Sequence, residues 1–426
     1  MTEEQIRKKQ NEVQMEALGM WKKNNFNGCI EVATGVGKTR IGVIAGCEFI
    51  KRGEQKLPTL ITCSKTTIVE NWPKEIALWG YADYINSCIV ECYQTSYKRK
   101  NENFGTLIGD EIHKGLTPEY SQVFDLSFDK RLLMTAKLSP TNKQLLQKLN
   151  IPIVFTYTRE EARKDGIISE LTVVEKKVYL GVEDSAKYLQ YTDKMEEVSK
   201  KILATFKSGT RVNLWATVQN WRNHHNGYFK MLAFTYLKAV RERASLLYNS
   251  EAKIIAAADF IEHIVKNRKD AKIIVYSEHI SPIELLDEEL NRRRVTTLMY
   301  HSKKTKAQNQ NAIDTFDKGV GFFNGSNYQV LLSAKGLTEG LNIKTANVAV
   351  VLSTTSNNLD SIQREGRVSR RKEDNRSLVI HITGCLQVYE MNKYIIKDTK
   401  DKDWLNNSGT VVNFAVEDPE QVLDLF

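Results

Sequence analysis

The sequence predicts an α/β fold with two parallel-sheet domains and a helical insertion between them. Short apolar runs that are typical of buried strands alternate with helical stretches near the start of the chain, and they do so again after about residue 250. Between these two parts the pattern changes to long helical stretches rich in aromatic residues. We therefore predict domains over 1–169 and 251–414, an insertion over 170–250 and an acidic tail over 415–426.

The composition is that of a folded chain whose partner is a polyanion. The 426 residues are 41% hydrophobic and 27% charged, which excludes a disordered chain or a disulfide miniprotein. The net charge of +9 favours nucleic acid but is lower than that of a ribosomal protein. No apolar run is long enough to span a membrane and the first ten residues are polar, so we expect a soluble, cytoplasmic protein without a membrane partner. The six scattered cysteines predict reduced thiols and not a zinc site.

The first domain is predicted from a helix over residues 14–24 and from six short apolar runs that follow it. These runs are Gly28–Val32, Thr59–Cys63, Cys88–Cys92, Thr106–Ile108, Leu132–Thr135 and Ile153–Thr156. In the second domain the corresponding runs are Lys272–Tyr276, Thr296–Tyr300, Gln329–Leu332, Val348–Leu352 and Ser377–Ile382. Their alternation with helical stretches indicates strands of parallel sheets.

A glycine-rich turn follows the first predicted strand and comes directly before a helix over Arg40–Lys51. This order of strand, glycine turn and helix is typical of phosphate binding, because backbone N–H groups close around the phosphates. Within the turn, Lys38 suits the β and γ phosphates and the Thr39 hydroxyl suits Mg²⁺. The strict pattern requires one further glycine where Val32 stands. The predicted nucleotide-binding residues here are Thr34, Gly35, Val36, Gly37, Lys38, Thr39 and Arg40.

An acidic pair, Asp110 and Glu111, follows the predicted strand Thr106–Ile108. A phosphate-binding lysine needs a second acidic site on a neighbouring strand, which holds the metal and orients the attacking water. We therefore predict that Asp110 binds Mg²⁺ and that Glu111 is the general base. An acidic pair after a strand is by itself more often a solvated turn, and its place after the glycine turn makes it specific.

These motifs together resemble the superfamily 2 helicases and translocases, and the resemblance covers nearly the whole chain. It implies two RecA-like domains with ATP and Mg²⁺ at their interface. Gln14 resembles the family's adenine-reading glutamine, while Trp72 and Thr95 lie in segments that resemble its DNA-strand contacts. Met134–Lys137 stands where the family has its Ser/Thr-Ala-Thr coupling motif, and Lys137 is a departure from that motif.

Two strings of the second domain extend the resemblance. Gly336–Asn342 is similar to motif V, which implies that Thr338 contacts nucleic acid and that Gly340 and Asn342 contact the nucleotide. Gln363–Arg370 resembles motif VI, Gln-x-x-Gly-Arg-x-x-Arg. An arginine supplied by a second domain stabilises the γ phosphate only when the domains close. The predicted catalytic residues of this string are Gln363, Arg367 and Arg370.

The insertion combines basic and aromatic residues. Nine Lys or Arg and one acid, Glu242, lie between residues 200 and 243, with aromatic residues among them. This mixture suits phosphate contacts and base stacking, and the predicted contacts are Arg211, Arg222 and Lys230. An amphipathic helical layer with its aromatics packed inward and its basic residues solvated explains the same pattern equally well.

The tail has no Lys or Arg and ends in a short string that resembles a sliding-clamp-binding peptide. The resemblance implies a β-type clamp as partner, with its contacts at Gln421, Leu423, Asp424, Leu425 and Phe426. A terminal element folded onto its own domain is the alternative.

The function implied by the whole pattern is that of an ATP-dependent DNA helicase or translocase. Its overall order resembles phage-encoded DNA helicases that remodel replication or recombination intermediates. Two alternatives remain open. One is an RNA helicase of the same superfamily, because the backbone-gripping motifs do not choose the sugar. The other is a nucleotide-gated DNA-binding scaffold without productive hydrolysis.

Overall fold

The computed structural model describes residues 2–207, 209–210, 212–318, 328–334, 345–353, 376–391, 393–399 and 412–425. Within these ranges the chain forms two α/β domains, each with its own sheet, and a group of helices between them. No helix in the described ranges is long and apolar enough to cross a membrane. All six cysteines are free thiols.

The first domain alternates helices and strands as predicted. Its helices are α1 (Glu3–Lys23), α2 (Lys38–Lys51), α3 (Thr66–Leu78), α4 (Tyr93–Ser96), α5 (Pro140–Lys148) and α6 (Arg159–Lys164). Its strands are β1 (Asn27–Val32), β2 (Thr59–Cys63), β3 (Cys88–Cys92), β4 (Asn103–Asp110), β5 (Ser127–Thr135) and β6 (Ile153–Tyr157). Helix α1 begins well before the predicted residue 14, because Thr2 and Gln5 form a capping box at its start.

The first sheet places the predicted catalytic loops side by side. Its strand order is β3-β2-β4-β5-β1-β6, and all neighbouring strands are parallel. The carboxyl ends of parallel strands lie at one edge of the sheet, which is where ligands bind in such folds. Because β5 alone separates β4 from β1, the acidic pair after β4 lies close to the glycine turn after β1.

The second domain has a larger mixed sheet. Its helices are α10 (Glu251–Asn267), α11 (Ile280–Arg292) and α12 (Lys306–Lys318). Its strands are β7 (Glu170–Leu180), β8 (Ile273–Ser277), β9 (Thr297–Tyr300), β10 (Val330–Ala334), β11 (Val348–Val351), β12 (Arg376–Glu390), β13 (Lys393–Asp398) and β14 (Phe414–Ala415). The order is β14-β7-β12-β11-β8-β10-β9, with β13 antiparallel to β12. One apolar core lies on the α10 and α11 face and another on the α12 face.

Strand β7 corrects the predicted boundary of the insertion. The segment after residue 170 was predicted to be helical, yet β7 pairs in parallel with β12 from Glu170↔Arg376 to Leu180↔Leu386. Its β-branched residues Val173, Val174 and Val178 are buried in the second domain. The second sheet therefore begins before the insertion.

The insertion consists of helices α7 (Val182–Leu203), α8 (Leu214–Trp221) and α9 (Gly227–Tyr248). These helices have a small core of their own, in which Trp221 is buried and stacks on Phe229 with 4.3 Å between the ring centroids. A second cluster joins the base of the insertion to the sheet, and its members are Leu180, Tyr188, Leu247 and Leu386. The insertion is thus packed onto the second domain.

The tail is folded onto the second domain, as the alternative interpretation expected. Strand β14 pairs with β7, and residues Pro419–Leu425 form a 3₁₀ helix that packs on α10. Val422 is fully buried in the α10 core, and Leu425 packs partly against it. The prediction of an exposed tail is therefore wrong for this segment, because its apolar residues find a core within the same domain.

The predicted clamp contacts are placed accordingly. The Gln421 side chain accepts hydrogen bonds from the backbone N–H groups of Glu417 and Asp418, at 2.6 and 3.1 Å, and so holds the start of the 3₁₀ helix. Leu423 is half-buried. The Asp424 side chain and Phe426 lie outside the described residues. Clamp binding stays a prediction, and it requires the segment to leave its own domain.

Candidate nucleotide site

The glycine turn between β1 and α2 has the backbone that its sequence requires. Gly35 and Gly37 have φ angles of +95° and +99°, a region that side-chain-bearing residues rarely adopt. Helix α2 begins at Lys38, directly after this turn, so its free N–H groups and positive end face the loop. The predicted residues from Thr34 to Thr39 therefore form one loop that suits an anionic phosphate chain.

Lys38 points into the domain from the first turn of α2. Its Nζ donates a hydrogen bond to the Val32 carbonyl oxygen at 3.1 Å and lies 4.0 Å from Oε1 of Glu111. Lys38 is only 8% exposed. The predicted phosphate-binding cation and the predicted general base, which are far apart in the chain, are therefore neighbours.

Asp110 and Glu111 occupy the end of β4. Burial raises the pKa of Asp110 to about 7, and the nearby Glu111 charge acts in the same direction. The Lys38 charge and the Trp72 indole oppose this rise. Glu111 has a φ of +48°, a strained backbone for a residue with a side chain, and such strain is common at functional sites. The strain turns Glu111 out of the strand direction and toward Lys38.

Trp72 does not contact nucleic acid in this structure, which corrects the prediction. It lies on the inward face of α3 and is 1% exposed, because its ring fills the space above Gly42. A Cβ atom at Gly42 would lie 2.7 Å from Cη2 of Trp72. Trp72 is therefore a core residue behind Asp110. Thr95 is exposed on α4, next to the carboxyl edge of the sheet, and its predicted contact stays a prediction.

A hydrogen-bonded chain joins the acidic pair to the loop after β5. Nδ1 of His113 lies 3.0 Å from Oγ1 of Thr135 and 3.4 Å from Oε2 of Glu111. The Thr135 hydroxyl in turn donates to the carbonyl oxygen of Lys137 at 3.3 Å. The departure at Lys137 leaves this chain intact, because its last link is a backbone atom.

Gln14 faces the glycine turn from α1 and is 2% exposed. Its Nε2 donates to the Val36 carbonyl oxygen at 2.7 Å, and its Oε1 accepts from Arg40 at 2.5 Å. Arg40 also donates to Asn11 and stacks on the exposed ring of Trp79. The base-reading role of Gln14 stays a prediction.

Gln10 also contacts the glycine turn, and the sequence interpretation missed it. Its Nε2 lies 3.2 Å from the Gly35 carbonyl oxygen and 3.0 Å from that of Val36. The available signal was its spacing, since a residue four positions before Gln14 lies on the same face of a helix.

The residues present fit a nucleoside triphosphate with its metal. Two buried oxygen atoms at the site, Oγ1 of Thr34 and Oε2 of Glu111, have no hydrogen-bond partner, and such orphans indicate a missing polar group. Thr39 and Asp110 supply the hydroxyl and carboxylate oxygens that Mg²⁺ prefers. They would hold this ion, which when bound would neutralise charge on the phosphates.

Several predicted site residues lie outside the described residues. Strand β10 ends at Ala334 and β11 at Val351, before the two strings that resemble motifs V and VI. The residues concerned are Thr338, Gly340, Asn342, Gln363, Arg367, Arg370 and Arg211. Their roles stay predictions.

The family comparisons match both domains. The family described as "Type III restriction enzyme, res subunit" matches residues 3–139, and the "Helicase conserved C-terminal domain" matches residues 255–372. The first range contains the glycine turn and the acidic pair, and the second contains both strings of the second domain. The chain belongs to the superfamily 2 helicases. The fold and the two domains expected from the sequence are confirmed.

Relatives of this superfamily 2 helicase include a DNA enzyme. The "DNA 3'-5' translocase XPB2" of Sulfurisphaera tokodaii is 24% identical over 400 residues, which is 89% of this chain and 83% of the relative. Among solved structures, the Pyrococcus furiosus Hef helicase domain matches 93% of this chain and 98% of its own, at 14% identity and a TM-score of 0.55.

Two further solved structures share the fold of this helicase. S. cerevisiae Dbp5 bound to RNA and ADP BeF3 matches 95% of this chain and 89% of its own, at 12% identity and a TM-score of 0.57. The Type ISP restriction-modification enzyme LlaBIII bound to DNA has a TM-score of 0.58 at 14% identity. The match covers 95% of this chain and 29% of the LlaBIII chain.

Proposed function

We propose that this protein is an ATP-dependent DNA helicase or translocase whose ATPase is stimulated by nucleic acid. The observation that carries the proposal is the approach of Lys38 Nζ to Glu111 Oε1, 4.0 Å, beside a glycine turn. A phosphate-binding cation and a general base must be close together if both are to act on one γ phosphate. A scaffold that never hydrolyses nucleotide has no need of that proximity.

The proposed roles divide between the residues of the site. Lys38 positions the phosphates and offsets charge that develops on them. Asp110 is a metal ligand, and Glu111 accepts the proton of the attacking water. Arg367 or Arg370 supplies the stabilising charge from the second domain when the domains close, which couples turnover to movement. Gln363 lies in the same string and assists them.

We propose DNA as the track because the relative of greatest coverage is described as a DNA translocase. The proposed contacts are Thr95 in the first domain, Thr338 in the second, and the insertion residues Arg211, Arg222 and Lys230. The insertion offers a surface of fitting chemistry, which is the exposed face of α9.

The α9 face combines apolar and basic side chains. Tyr228, Met231 and Phe234 are each about half exposed on it, and Lys230 and Lys238 lie exposed among them. Exposed rings stack on bases while cations contact phosphates, so this face suits a single strand. Trp221 and Phe229, in contrast, belong to the inner core of the insertion, so the packing interpretation holds for part of the aromatics.

We further propose that the enzyme remodels replication or recombination intermediates of a phage, in the cytoplasm of its host. The support for this is the resemblance of the sequence to phage DNA helicases. Docking on a β-type sliding clamp through Gln421–Phe426 belongs to the same proposal. Because Val422 is buried, that docking must compete with the folded position of the tail.

A nucleic-acid-stimulated ATPase assay tests the proposal. We expect slow ATP turnover alone and turnover raised at least tenfold by DNA, with RNA much less effective. Glu111→Gln is the matched control, since it removes the base but keeps the shape of the side chain. It should bind ATP and Mg²⁺ and hydrolyse about 100-fold more slowly or less.

The other outcomes assign the protein elsewhere. Stimulation by RNA alone would identify an RNA helicase. ATP binding without turnover at any nucleic acid concentration would identify a nucleotide-gated scaffold. Equal turnover by wild type and Glu111→Gln would remove Glu111 from the site.

A further inference from the structure

Two glutamines of α1 hold the glycine turn through its carbonyl groups. The amide nitrogen of Gln10 contacts the carbonyl oxygens of Gly35 and Val36, and the amide nitrogen of Gln14 contacts that of Val36. Three donor contacts therefore converge on two consecutive peptide groups. A Cβ atom at Gly37 would lie 2.4 Å from Nε2 of Gln14, so the helix and the turn are in close contact.

This arrangement fixes the direction of an N–H group that faces the phosphates. The peptide bond between Val36 and Gly37 is trans, so its C=O and N–H groups point in opposite directions. Because both glutamines draw the Val36 carbonyl toward α1, the Gly37 N–H points away from α1. Peptides of such loops otherwise rotate easily around glycine.

The two glutamines differ in how their acceptor atoms are used. Oε1 of Gln14 accepts from Arg40 and is buried, whereas Gln10 is half-buried on the rim of the turn. Both side chains therefore direct their donors at the turn, on the triphosphate side of the site. Contacts of this kind do not depend on which base the nucleotide carries.

We propose that Gln10 is a second positioning residue of the phosphate loop, and that it strengthens binding of the triphosphate whatever the base. The proposal rests on the proposed nucleotide-dependent function. It adds a residue that lies outside the glycine turn and outside the acidic pair. Gln10 acts through the Val36–Gly37 peptide and does not touch the reacting atoms.

The test compares Gln10→Ala, Gln10→Glu and the control Gln144→Ala, which truncates an exposed glutamine on α5 of the same domain. We expect Gln10→Ala to raise KM for ATP and for GTP by the same factor, about tenfold, with kcat within about twofold. Gln10→Glu should not restore binding, because an ionised carboxylate cannot donate to carbonyl oxygens. The melting temperature should change by less than about 3 °C, since water replaces the lost partner of a half-exposed side chain.

Each other outcome overturns a defined statement. A rise in KM for ATP alone would make Gln10 a base reader and would contradict the proposal. An unchanged KM, or normal binding by Gln10→Glu, would contradict it as well. Wild-type protein that binds ATP in a Gln10-dependent way without hydrolysing it would overturn only the proposed function. Wild-type protein that binds no nucleotide would overturn both.

Discussion

The nucleotide site and the insertion differ in what fixes their side chains. At the nucleotide site, Lys38 and Asp110 stand at the ends of neighbouring parallel strands or directly after them, and both are buried. In the insertion, Trp215 and Trp221 lie on the same short helix, yet the first is 55% exposed and the second 9%. Six residues on a helix correspond to a rotation of about 240°, so two tryptophans of one motif-like stretch serve different purposes.

This contrast shows which inferences a sequence supports. A motif at the edge of a parallel sheet has its position set by the sheet, and its neighbours follow from strand order. A helix face is turned inward or outward by its partner helices, which the sequence of one helix does not reveal. The four predictions below test the difference, beginning with the nucleotide site.

Lys38→Ala should abolish ATP turnover while leaving the fold intact. The substitution removes the cation that positions and offsets the phosphates, and it also removes the 3.1 Å contact with the Val32 carbonyl. Steady-state ATPase rates with saturating DNA measure the effect, and circular dichroism checks the fold. Turnover within a few-fold of wild type would contradict the assignment of the site.

Arg367→Ala and Arg370→Ala should lower kcat more than nucleotide affinity. An arginine that acts mainly in the transition state loses rate and not ground-state binding, with a loss on the order of 10³ for the residue that reaches the γ phosphate. Rates and ATP dissociation constants of both variants are the measurements. An unchanged kcat in both would remove the arginines from the mechanism.

Replacing Arg211, Arg222 and Lys230 by Ala should weaken DNA binding about equally across sequences. Each lost phosphate contact lowers the salt slope of the binding constant, by up to about three contacts in total. Phe234→Ala is the matched variant, since loss of a stacking ring should lower affinity without changing the slope. Identical slopes for the triple variant and wild type would leave the insertion with a packing role only.

Val422→Ala should lower the melting temperature by about 5 °C, because truncating a fully buried valine costs roughly 2 kcal/mol. The exposed neighbour Glu420 is the control, and Glu420→Ala should leave stability unchanged. DNA-stimulated ATPase should be the same in both variants. Clamp binding that rises in Val422→Ala would mean that the released tail docks, and unchanged stability would mean that the tail is not held by its core.

The sequence predicted the sheets better than their edges. The alternation of apolar runs located the strands of the first sheet, because buried parallel strands are continuous apolar runs. It missed β7, whose lysines interrupt the run at Lys176 and Lys177, and it assigned this strand to the helical insertion. Paired neighbours of an edge strand are distant in sequence, so local patterns carry little information about them.

The candidate site was predictable in its residues and less so in its support. Lys38, Asp110 and Glu111 were expected from spacing and chemistry, and the structure brings them together. The burial of Trp72 was not expected, because it depends on the absence of a side chain at Gly42. Gln10 was missed for a similar reason, since its partners are backbone carbonyls that no sequence motif displays.

Strand β7 also decides which domain carries the insertion. The chain enters the second sheet at Glu170, leaves it at Leu180 for the three insertion helices, and returns through α10. Both roots of the insertion therefore belong to the second domain, and residues 165–169 are the short segment that links α6 to it. When the second domain rotates toward the first, the α9 face should sweep with it as a lever arm. Such an arm would convert a small closure around the nucleotide into a larger displacement along the track.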